Sequence, residues 1–147
     1  MARLTIHELL TELQTKLSTE YGISVITRYY FVGDIAELPT EPAYFLEPGT
    51  LTINRINVAA PEVVQTVRFL WEGRFELAPI ASIISDQVAL FERIARDLMK
   101  EPIIADGRAF LRGVSTFSDA PSTFSVSQLE DGVPVVTGGI ELAFSIA

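Results

Sequence analysis

The stretch "GGIELAFSIA", residues 138–147, decides the fold. After the two glycines, Ile140, Leu142, Phe144 and Ile146 alternate with Glu141, Ala143, Ser145 and Ala147. A period of two marks a half-buried strand. Terminal residues usually fray unless something ties them down. A strand this apolar is therefore expected inside the sheet or at an edge closed by another subunit, because an open apolar edge templates aggregation. Its large residues should face helices, and its small ones should admit a close neighbour. Gly138-Gly139 reads as a hinge or bulge that lets the strand in. It precedes a strand and not a helix, so it is no phosphate cradle.

Two helices can cover such a sheet. Within residues 82–100, Ile84, Val88, Leu90, Phe91, Ile94, Ala95, Leu98 and Met99 fall in one half of a helical wheel. Asp86, Arg93, Arg96, Asp97 and Lys100 fall in the other. Ser82 or Ser85 is the expected cap, and Glu101-Pro102 the stop. The pairs Glu92/Arg96 and Arg93/Asp97 are spaced for exposed contacts one turn apart. An earlier helix is expected over about residues 5–21. Thr5 and Glu8 form a capping box, Leu9, Leu10, Leu13 and Leu17 a stripe, and Gly22 a stop.

The rest reads as strand and turn. "VVQTVRFLWE", residues 63–72, puts Val63, Val67, Phe69 and Trp71 in one phase, with Gln65 the exception. "ISVITRYYFV", residues 23–32, is apolar in both phases, so it is covered twice or lies at an interface. Pro48-Gly49 suits a tight turn between short strands, and the apolar phase changes near Asn54-Arg55, where a bulge or bend is expected. Turns are also expected at Asp119-Ala120-Pro121-Ser122 and Glu130-Asp131-Gly132. Strands that follow one another with short connections imply antiparallel pairing. The expected class is α+β: a mostly antiparallel sheet with two main amphipathic helices packed on one face, in a single domain over residues 1–147.

Composition narrows the function classes. Apolar residues make up 48% and charged ones 20% of 147, a globular balance. There is no cysteine, so disulfides and thiolate metal sites are excluded. Nineteen acids against eleven bases, net charge −8, argue against gripping a nucleic-acid backbone. No apolar run reaches the roughly 20 residues that span a bilayer, and the first residues lack the apolar core of a signal peptide. Synthesis in the cytoplasm, with no membrane partner, is the expectation.

No motif states a chemistry. His7 is the sole histidine and sits in the first turn of a surface helix, where it reads as an ordinary solvent-facing residue. There is no metal-ligand cluster, no nucleotide loop and no catalytic triad, so no catalytic, cofactor or metal residue is assigned. Residues 33–48 carry Asp34, Glu37, Glu41 and Glu47 with no base among them. A solvated loop explains these acids, and they lack calcium-loop spacing. The aromatics Tyr29, Tyr30, Phe31, Tyr44, Phe45 and Trp71 suit a core, but also the centre of an interface. Two helices offer only two apolar stripes, so the surplus apolar strand face points to a subunit interface. Its candidates are Tyr30, Trp71, Glu141 and Ser145.

An amphipathic "TIHELLTELQTKLSTEYG" runs directly into a strand. A hairpin-rich middle, one long helix and "GGIELAFSIA" follow, in an acidic, cysteine-free chain near 150 residues. In this order of elements and size the chain resembles the tail terminator (tail completion) proteins of long-tailed bacteriophages. The resemblance implies a virion protein, assembled in the host cytoplasm as a hexameric ring. Such a ring caps the tail tube, stops its growth and meets the head-tail connector, with DNA passing through unbound. It supplies no active-site residues to carry over, and the metal-dependent assembly of some members has no counterpart residues here. In that setting Asp34, Glu37, Glu41 and Glu47 become candidate lumen or rim acids, since acidic walls repel phosphate. Three other readings stay open: another neck or tail-tube protein, a small enzyme built on a carboxylate pair with a divalent cation, and a monomeric ligand- or peptide-binding domain.

Overall fold

Thr5 starts the first helix as the sequence requires. Its hydroxyl accepts from the Glu8 backbone N–H, and the Glu8 carboxylate accepts from the Thr5 N–H. These bonds hold the Glu8 carboxyl below its ordinary range, the backbone bond contributing most. Helix α1 (Ile6–Tyr21) ends at Gly22, whose left-handed φ of 64° closes the cap onto the Ser18 carbonyl. The computed structural model describes residues 3–29, 41–55, 61–75, 77–116, 124–128 and 134–147.

Seven strands follow among these residues: β1 (Val25–Thr27), β2 (Ala43–Arg55), β3 (Pro61–Arg74), β4 (Ile103–Ile104), β5 (Ala109–Thr116), β6 (Phe124–Gln128) and β7 (Pro134–Ile146). Helix α2 (Leu77–Lys100) stands between β3 and β4. The strands form one sheet in the order β1-β2-β3-β7-β5-β4, with β6 also on β7. All described pairings are antiparallel except β1 with β2, which run parallel. The expected α+β architecture is the one found.

β7 is the centre of this sheet. Along one edge it pairs with β3 from Val135 to Ser145. Its other edge is shared: β5 takes Ile140–Ile146, and β6 takes Pro134–Gly138. Gly138-Gly139 is thus neither a hinge nor a bulge. Both glycines lie inside the ladder, opposite Trp71 and Leu70. Position 139 is bare for a steric reason: a Cβ there would press into the Phe69 carbonyl and reach the Leu70 Cα at 2.7 Å.

Both helices contribute to one apolar core on one face of the sheet. Leu9, Leu10, Leu13 and Leu17 of α1 are fully buried there, with Phe91, Ile94 and Leu98 of α2 and Ile140, Leu142 and Phe144 of β7. Phe69 and Phe91 stack at 4.5 Å between ring centres, and Tyr44 stacks on Phe91 at 6.2 Å. The Tyr44 hydroxyl donates to Gln87 at 2.6 Å, which explains a buried glutamine on the apolar side of α2. At the far end the Tyr21 hydroxyl donates to Asp97 at 2.8 Å and ties the helices together. Burial and the Asp97 carboxylate push the Tyr21 hydroxyl above its ordinary range.

Four expectations are corrected. The start of α2 is Leu77, and Ser82 and Ser85 are exposed residues inside it. Pro79 is accepted in the first turn because the N–H it lacks has no helical partner there. Met99, assigned to the apolar stripe, is 46% exposed. Pro48-Gly49 is not a turn: β2 runs on as one strand, with a register shift between Pro48 and Leu51. Gly49 and Thr50 there oppose Thr66 alone, whose hydroxyl accepts from the Thr50 N–H at 2.7 Å, so the two-against-one geometry is a bulge. The bulge lies ahead of the site expected at Asn54-Arg55. The spaced pairs on α2 are present and exposed, Glu92/Arg96 at 3.9 Å and Arg93/Asp97 at 4.0 Å. The turns expected at 119–122 and 130–132 lie outside the described residues.

Candidate functional site

Among the described residues the helices leave two cross-strand apolar pairs uncovered, besides Ile26 and Tyr29 near the β1 edge. One is on their own side of the sheet. Beyond the bulge, Leu51 and Ile53 of β2 oppose Gln65 and Val63 of β3 and so share their face. Val63 and Gln65 are buried, but Leu51 and Ile53 are 55% and 61% exposed, because α1 covers this end only up to its first turn. The result is a groove of about 260 Å³ lined by Leu4, Ile6, Leu51, Ile53, Val63 and Ile146, with Arg3 at its rim. Gln65 is satisfied at its base, donating to the Thr66 carbonyl at 2.8 Å. Exposed Arg55 continues the Leu51–Ile53 phase.

The second surface is on the helix-free face, at the other edge of the sheet. Ile103 of β4 lies opposite Phe110 of β5, and the two are 65% and 49% exposed. Phe110 lies opposite Ser145, and Ser145 opposite Val64, so this row continues inward across the sheet. The turn behind it is strained. Ala105 and Asp106 have φ of 56° and 55°, and Gly107 has 87°. A left-handed backbone costs an ordinary L residue about 1–2 kcal/mol. Such strain persists only where its surroundings impose it, and it gathers at functional positions.

On the helix-free side, across β1, β2 and β3, lies an ion cluster. Arg28 forks onto Glu72 at 2.8 and 3.1 Å and donates to Glu47 at 2.6 Å. Arg68 reaches Glu47 at 3.4 Å, and the Arg28 guanidinium stacks 4.0 Å above the Phe45 ring. The Arg28, Glu47 and Glu72 side chains are only 10–14% exposed. We expect Arg28→Ala to destabilise the protein by about 3 kcal/mol, since it strands two largely buried carboxylates. Arg28→Lys should recover little, because an ammonium cannot fork to both oxygens of Glu72. Urea titration of the three proteins measures both effects. A loss below about 0.5 kcal/mol for Arg28→Ala would show that water already screens the cluster.

The sequence candidates fall unevenly on this map. Glu141 and Ser145 lie on the helix-free face, opposite Arg68 and Val64, and are half-buried. Trp71 is corrected: it is 1% exposed, packed against Phe75 in the core, and has no surface to offer a neighbour. The Glu47 carboxylate is held by Arg28 and Arg68, and its side chain is 14% exposed. Glu41 is exposed. Tyr30, Asp34 and Glu37 lie outside the described residues. His7 is exposed as expected, and its Nδ1 is 2.7 Å from the Tyr29 hydroxyl. Ile103 was missed because the two-residue β4 leaves no alternation to read, and Phe110 because the register shift between Leu111 and Gly113 breaks the alternation of β5.

The carboxylates nearest to a catalytic pair, Glu47 and Glu72, are joined through Arg28 rather than left open to a substrate or cation. Among the described residues no three acids or histidines come together, and no helix is long and apolar enough to cross a membrane. No protein-family model and no curated protein matches the chain.

Proposed function

We propose that the chain is a structural ring subunit, a tail terminator of a long-tailed bacteriophage that caps the tail tube and meets the head-tail connector. One observation carries the assembly part of this reading. A single sheet exposes two different apolar surfaces, Leu51/Ile53 on its helix side and Ile103/Phe110 on its bare side. Subunits that join head to tail need two unlike patches, and a closed set of such contacts is a ring. The phage assignment rests on the resemblance in element order. A lumen that passes DNA is served by acids that repel phosphate, and exposed Glu41 is available for that role.

Light scattering behind a sizing column, with negative-stain images of the same peak, tests the reading. A ring of uniform copy number is the expected result. A monomer at micromolar concentrations that stays monomeric when mixed with a tail-tube protein would remove the ring.

A further inference from the structure

We propose that residues 25–29 are a latched strap: a unit that lifts from the sheet edge while the rest of the chain stays folded, with Arg28 as its latch. This inference stands apart from the ring reading. β1 is paired over three residues and, among the described residues, with β2 alone. That pairing is the parallel one, slightly weaker per residue than the antiparallel ladders beside it. Apolar burial adds little beyond Val25, which is 3% exposed. Ile26 and Tyr29 are 54% and 48% exposed, and Arg28 buries a charge rather than apolar surface.

Polar contacts hold the segment instead. The Gln14 amide donates to the Val25 carbonyl at 2.7 Å, and the Arg28 N–H donates to the Leu46 carbonyl at 2.8 Å. The Arg28 guanidinium reaches over the Phe45 ring to Glu47 of β2 and Glu72 of β3, so one side chain pins the end of β1 to two further strands. The Tyr29 hydroxyl meets His7 Nδ1 at 2.7 Å. Such contacts release more readily than a packed core. Charges that lift out regain the water they lost on closing, which offsets the broken ion pairs. Apolar surface gains nothing from water. Segments with few buried apolar contacts open as units below the free energy of global unfolding. Lifting the strap bares the outer edge of β2 at Tyr44–Leu46, so the latch sets how much of that edge is covered.

Amide hydrogen exchange of the full chain tests the strap, with a peptide covering residues 24–29 compared with peptides from β7. In the wild type the strap peptide should exchange about tenfold faster than β7 or more. Its rate should depend little on urea, because a local opening exposes little surface. Arg28→Ala should speed exchange of this peptide about 100-fold; Arg28→Lys stands in if the alanine variant does not fold. Leu98→Ala is the counter-test. It removes a side chain of α2 that is 1% exposed, so it should speed exchange in β7 and leave residues 24–29 at the wild-type rate. If residues 24–29 exchange at the rate of β7 in the wild type and follow it in Leu98→Ala, the segment belongs to one cooperative fold and the strap is overturned. If the Arg28 variant leaves their rate unchanged, Arg28 is not the latch.

Discussion

Removing residues 140–147 leaves no soluble folded protein. The segment supplies Ile140, Leu142 and Phe144, each 4% exposed or less. Full burial of such a side chain contributes roughly 1.5–3 kcal/mol. Three of them together rival a typical domain's net stability of about 5–15 kcal/mol. The loss extends to the ladder. β5 pairs with this segment from Ile140 to Ile146, and its only other described partner is the two-residue β4. Without the segment, β3 also presents a bare edge from Val64 to Phe69. Expression of the shortened chain, followed by circular dichroism of any soluble fraction, measures the effect. A truncated protein with native-like spectra and a cooperative melt would show that residues 140–147 are an accessory to the core.

Gly139→Ala loses roughly 3 kcal/mol, a drop in Tm of about 10 °C for a chain of this size. The added methyl group points into the backbone of β3, at the Phe69 carbonyl and the Leu70 Cα. A flexible side chain could swing away from it, but a strand paired on both sides cannot. The pairs Leu70↔Gly139 and Phe69↔Ile140 must open, and Phe69 is the residue that stacks on Phe91 in the core. Gly113→Ala is the control. It lies in β5 with nothing within 4 Å of an added Cβ, so a change within about 0.5 kcal/mol is expected. Thermal and urea unfolding of both variants give the comparison. Equal stabilities would mean that β3 and β7 can separate at this point without loss.

Local signals proved the readable ones. The Thr5/Glu8 box, the leucine stripe and Gly22 set out α1 to within a residue, because capping and side-chain periodicity act over four neighbours. The alternation in β3 and β7 told which residues face the helices, because a strand's faces repeat every two residues. Long-range geometry was not readable. Pro48-Gly49 has the composition of a turn, and only Thr66 on the neighbouring strand makes it a bulge. Trp71 has the composition of an interface anchor, and only its place under the helices makes it core. Glu47 looked like a free loop acid until the fold brought Arg28 and Arg68 to it.

The α+β class, the helix-facing sides of the long strands and the tying of residues 140–147 into a sheet are legible along the chain. Each follows from period, capping and composition, which are properties of neighbours along the chain. The tertiary structure alone decided that β7 lies at the centre, with β3 on one edge and β5 and β6 sharing the other. It alone decided which apolar residues stay uncovered: Leu51 and Ile53 past the reach of α1, and Ile103 and Phe110 on the bare face. The physical reason is the same in both cases. Strand order and coverage depend on contacts between residues tens of positions apart, and no local period encodes them.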